Sequence, residues 1–108
     1  MPDFLEVITT ASTEEEAMRI AESLVTARLA GCVQVEGPVT SVYRWQGEVE
    51  TAQEWRCSIK TRADLFAEVE QAIRAEHSYS IPQIIALPIV AASVPYVQWL
   101  AAETTHNP

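Results

Sequence analysis

The chain has 108 residues, with 15 acidic against 7 basic side chains and a formal charge of −8 at pH 7. At 48% hydrophobic and 20% charged, with 3 Gly and 6 Pro, it is neither collagenous, disordered nor disulfide-scaffolded, and its length fits one domain over residues 1–108. The acidic balance, with Lys60 as the sole lysine, speaks against nucleic-acid binding, which rests on Lys and Arg displacing phosphate counterions.

The first strand is expected over Phe4 to Thr9, a run rich in β-formers that ends in a cluster of hydroxyl side chains. Ser12 with Glu15, and Thr13 with Glu16, have capping-box spacing, so a helix starts near Glu14, buries Ala17, Met18, Ala21, Leu24, Val25 and Leu29, and is closed by Gly31. From Cys32 the period changes to two. Val39, Ser41, Tyr43 and Trp45 share one face of a long strand, and Gly37-Pro38 bends or bulges that strand without ending it. Gln46-Gly47 is a tight turn into a returning strand over Glu48 to Lys60, where Trp55, Cys57 and Ile59 face one way and Glu54, Arg56, Ser58 and Lys60 the other. Thr61 and Asp64 read as a second capping box, followed by a helix that buries Leu65, Phe66, Val69, Ala72 and Ile73 and ends near His77. Ile84 to Val90 is the apolar run of a strand covered on both faces, with Pro88 marking an edge or an end. A last helix fits Pro95 to Glu103.

The order is βαββαβ plus a terminal helix: an α+β, ferredoxin-like antiparallel sheet with two helices on one face. The opposite face is expected to carry enough nonpolar area to require self-association, with the long hairpins pairing around a threefold axis. The longest apolar run, Ile84 to Ala92, is too short to span a bilayer, which leaves no membrane partner. The first ten residues hold Asp3 and Glu6 and lack a secretory pattern, so the cytoplasm is expected. Cys32 and Cys57 have no CxxC spacing and are expected there as thiols.

Five segments then carry a resemblance: Ala30-Gly31-Cys32-Val33, Thr40 through Glu50, Ile59-Lys60-Thr61-Arg62, His77 through Ile89, and Tyr96-Val97-Gln98-Trp99-Leu100. Together, in this order and over nearly the whole chain, the sequence resembles the CutA family of divalent-cation tolerance proteins. The resemblance implies a homotrimer of ferredoxin-like subunits, similar in build to PII signalling proteins, associated with tolerance of copper and other divalent ions and with no settled catalytic activity. Two positions depart from the family pattern, Ser78 where Pro is usual and Gln83 where Glu is usual. The second removes a carboxylate from the best ligand-binding segment.

Cys32 is the first metal candidate, since a thiolate suits copper and the family's copper association falls most naturally on it; a small buried apolar residue is the competing reading. His77, from the matching His-x-Tyr motif, is the second, against a helix-capping role. Tyr79 and Gln83 follow it in the same segment, and Trp45 with Tyr43 can line a cleft between subunits or simply pack there. Lys60 binds an anion in such a cleft or pairs with Glu54, Glu48 or a neighbouring copy's carboxylate. Glu48, Glu50 and Glu54 gather hard cations or form a solvated strand face. His106 lies in a polar tail expected to be disordered. No nucleophile and base pair, phosphate loop or HExxH is present in the sequence, so no enzyme is expected and no cofactor is obligatory. The leading expectation is a trimer binding copper, another divalent cation or a small effector at subunit clefts; the alternative is a PII-like module binding a small anionic metabolite and a partner protein.

Overall fold

The computed structural model describes residues 3–105, and His106 lies outside them. Its elements are β1 (Phe4–Ala11), α1 (Glu14–Thr26), β2 (Cys32–Trp45), β3 (Glu48–Arg62), α2 (Phe66–Glu76), β4 (Ile85–Pro88) and α3 (Val94–Glu103). The four strands form one sheet in the order β2-β3-β1-β4, every neighbouring pair antiparallel. This is the α+β order expected from the sequence, and the alternation of β3 holds: Cys57 and Ile59 are fully buried under the helices together with Val7 and Ala11 of β1. Ala17, Ile20 and Leu24 of α1, with Val69 and Ile73 of α2, close that core from above.

Thr13 caps α1 by accepting a hydrogen bond from the Glu16 amide at 3.1 Å, as its spacing predicts. The helix ends earlier than expected, at Thr26, and the residue that takes the left-handed conformation is Arg28 (φ 62°), not Gly31. Gly31 serves packing instead, since a Cβ there would lie 2.6 Å from Leu100 Cδ1 of α3. The Gln46-Gly47 turn has positive φ at both residues (52° and 83°), the geometry of a two-residue hairpin matched to strand twist. The predicted bulge is also present: the register shifts between Glu36 and Val39, with Gly37 against the Trp55 indole.

Two expectations are corrected. Thr61 is no helix cap; it lies fully buried in β3 and its hydroxyl donates to the Leu29 carbonyl, while a single 3-10 turn over Ala63–Leu65 leads into α2 with no side-chain cap. β4 is not covered on both faces, since Ile85 and Leu87 are exposed, while its place as a four-residue edge strand is the one Pro88 suggested. The strand is short and pairs only with β1, so an apolar run alone did not decide burial. The open sheet face, finally, is polar at its centre. Glu6, Gln34, Ser58 and Lys60 share it, with Ser58 donating to Glu6 and Lys60 donating to Gln34 Oε1 at 2.7 Å and to Ser58 Oγ at 2.8 Å. Exposed nonpolar area gathers around it, at the hairpin tip (Val42, Tyr43, Trp45, Val49), on β4 and on α3 (Val94, Tyr96, Trp99).

Candidate functional site

Along the outer half of the long hairpin, past the end of β1, the chain forms a cleft of about 720 Å³. One wall is β2, from Ser41 to Trp45; the other is the segment Tyr79 to Gln83, which leaves α2 and crosses the end of β1. α2 ends at Glu76, His77 is already extended (ψ 138°), and Pro82, buried farther along the segment, keeps it from returning to helix. Glu54 and Thr10 contribute from the sheet itself.

Glu54 is only 7% exposed, and its Oε2 accepts a hydrogen bond from the Tyr79 hydroxyl at 2.7 Å. Burial holds the Tyr79 hydroxyl protonated well above the usual phenol range, and both the hydrogen bond to Glu54 and that carboxylate's charge act the same way. Tyr79 is therefore a donor to Glu54 at any physiological pH.

Tyr79 is positioned from beneath. The His77 side chain is fully buried. Its Nε2 lies 2.7 Å from the Thr10 carbonyl, which can only accept, so Nε2 carries the proton. Its Nδ1 lies 3.1 Å from the Tyr79 amide nitrogen and 3.3 Å from Glu16 Oε2, and the two rings stand 4.8 Å apart. Glu16 is 5% exposed and also accepts from the Ser78 amide at 3.1 Å. Glu16 thus ties the first turn of α1 to the segment that carries the cleft wall. The sequence pointed to Glu16 only as a capping partner; its contact with residues 62 positions away left no local signal.

The predicted residues separate into two places. Trp45, Glu54, Tyr79 and Gln83 all line the cleft, with His77 behind it. Cys32 and Lys60 are paired across β2 and β3 at the far end of the open face. Six residues of β3 separate Lys60 from Glu54, ~20 Å at the ~3.3 Å rise of a strand. Lys60 pairs with neither Glu54 nor Glu48 but donates to Gln34 and Ser58, so an anion site built on it in this cleft has no support from the geometry. Cys32 and His77 are likewise apart, and both ring nitrogens of His77 face groups of its own protomer. Among the described residues, no group of three or more His, Cys, Asp or Glu side chains is gathered closely enough to hold a metal ion. Copper therefore does not fit a site made by these residues of one protomer. Cys57 is buried beneath α1, its thiol donating to the Ala17 carbonyl at 3.6 Å, in keeping with the core role its alternation suggests.

No helix is long and apolar enough to cross a membrane among the described residues. A family model described as CutA1 divalent ion tolerance protein matches residues 5–103. The chain is 42% identical over 98 residues to the divalent-cation tolerance protein CutA of Thermus thermophilus, covering 91% of this chain and 95% of that protein. It is 37% identical over 101 residues to the chloroplastic protein CutA 1 of rice, covering 94% of this chain and 57% of the rice protein. The solved structure of the Thermus thermophilus protein matches with a TM-score of 0.92 at 40% identity, over 94% of this chain and 99% of that one. That of CutA1 from Shewanella sp. SIB1 matches with a TM-score of 0.94 at 34% identity, over 97% and 98%.

Proposed function

The chain belongs to the CutA1 divalent ion tolerance protein family, and on that premise we propose that it works as a homotrimeric binding protein whose cleft along the outer half of the long hairpin holds a small effector. Its family is named for a tolerance and not for a reaction, and the reading assigns it binding, not catalysis. The observation that carries the proposal is the cleft itself, concave, of a volume suited to a small metabolite, and walled by aromatic side chains around one buried carboxylate. The exposed nonpolar side chains of the hairpin tip, β4 and α3 support the trimer, because exposed nonpolar area is covered in stable proteins by a partner.

In the same reading a divalent cation, copper included, is bound across subunits, with Cys32 as the soft ligand and the remaining ligands from another copy. His77 acts here by positioning the cleft wall. The cytoplasm is the proposed compartment, where the two free thiols stay reduced. Calorimetric titration of copper(II) into the protein and into Cys32→Ser tests the metal arm. At least tenfold weaker binding by the variant is expected, and equal affinity removes Cys32 from any site.

A further inference from the structure

We propose that the cleft selects a small organic cation, such as a quaternary ammonium or alkylated amine, with Glu54 as its counter-charge and Tyr43, Trp45 and Tyr79 as its aromatic wall. The inference rests on the reading of this cleft as the effector site and names the chemical class of the effector. Glu54 is the single carboxylate among the lining residues, nearly withdrawn from water, with one oxygen committed to the Tyr79 hydroxyl. A buried carboxylate needs charge or hydrogen bonds to offset its desolvation, and a cation entering the cleft supplies the charge. The wall chemistry decides which cation. Three aromatic residues line the cleft, the residue type that attracts a diffuse organic cation, and Thr10, Ser41, Ser80 and Gln83 offer neutral polar groups beside them. A hard divalent ion wants six or more oxygens, several of them charged, and copper wants sulfur or imidazole; the cleft lining offers neither set.

The charge around the cleft points the same way. By register Glu50 sits opposite Tyr43 and Glu48 opposite Trp45, which adds negative potential along the approach from the hairpin tip. Arg44 also lines the cleft, yet it is exposed, alternates with Tyr43 and Trp45 along β2, and pairs in register with Val49, five residues along β3 from Glu54.

The test is isothermal titration calorimetry of the full chain with choline, with its uncharged isostere 3,3-dimethylbutan-1-ol, and with sodium acetate. Choline is expected to bind at least tenfold more tightly than the isostere, and acetate not at all. Glu54→Gln, whose amide oxygen still accepts from Tyr79, erases the choline advantage, while Trp45→Leu weakens both ligands. Equal binding of choline and the isostere, both weakened by Trp45→Leu, overturns the cationic class and leaves the effector cleft standing, as does acetate as the tightest ligand. Binding of choline that Trp45→Leu does not change, or no binding of any probe, overturns the inference together with the cleft reading. Because the choline-to-isostere ratio is read on the unsubstituted protein, the result stands even where a variant fails to fold.

Discussion

His77 and Glu16 set the position of Tyr79 without lining the cleft. Replacing His77 by Ala leaves the Thr10 carbonyl unpaired and removes the imidazole from the Tyr79 amide and Glu16, all in buried surroundings. At about 1–3 kcal/mol for a buried group left without its partner, His77→Ala is expected to lower the stability of the fold by that amount in urea melts. It should also weaken effector binding at the cleft. Cys57 gives a second residue-scale prediction with a definite sign. Burial pushes its thiol up from 9.0 to about 11, so the folded chain holds this proton more tightly than the unfolded chain does. The contribution is fully present below about pH 9 and is lost as pH rises toward 11. Stability should fall across that window by ~1.4 kcal/mol per pH unit for this group, and Cys57→Ala should flatten that part of the curve. The packing role of Cys57 was legible because period-two alternation places it beside Trp55 and Ile59. The partners of His77 were not, since Thr10 and Glu16 reach it from distant parts of the chain.

At the level of elements, the hairpin β2–β3 depends on one close approach. A Cβ on Gly37 would lie 2.6 Å from Cδ1 and 2.8 Å from Cγ of Trp55, a rigid ring with no free end to move aside. Gly37→Ala is therefore expected to cost about 1–3 kcal/mol through overpacking, read as a drop in Tm. Thr13→Ala removes the oxygen that accepts from the Glu16 amide and should cost about 1 kcal/mol. Helix and hairpin boundaries could be read where local chemistry fixes them: the Thr13 cap, the Gln46-Gly47 turn, and the Gly37-Pro38 bulge. Reading failed where tertiary context decides. Thr61-x-x-Asp64 has the spacing of a cap, but β3 continues through it because its hydroxyl bonds to Leu29 and its backbone pairs with Leu5. β4 stands at the edge, as Pro88 suggested, but its apolar run does not encode whether either face is covered, and Ile85 and Leu87 are exposed.

For the molecule as a whole, the long hairpin stretches the protomer to 44 × 26 × 21 Å. Its tip exposes Val42 by 67% and Val49 by 63%, far from the core that α1 and α2 cover. Such a tip gains little from its own chain, so in the proposed trimer much of its order comes from neighbouring copies. Melting is then expected to rise with protein concentration, because dissociation is coupled to unfolding. Introducing charge at the tip with Val42→Glu should lower both Tm and the associated mass while leaving the core of the protomer intact. The open face carries the exposed nonpolar area expected of it, at Tyr43 and Trp45 of β2 and at Ile85 and Leu87 of β4, but alternation gives the side of each residue and not its hydrogen bonds, so the polar centre where Glu6, Gln34, Ser58 and Lys60 satisfy one another was not legible. The demand for a partner falls on the margins of that face, at the hairpin tip and β4, and on α3. Sedimentation equilibrium at micromolar concentration tests this most directly. The account predicts a single species of three times the 12.0 kDa chain mass, and a stable, well-behaved species at the mass of one chain contradicts it.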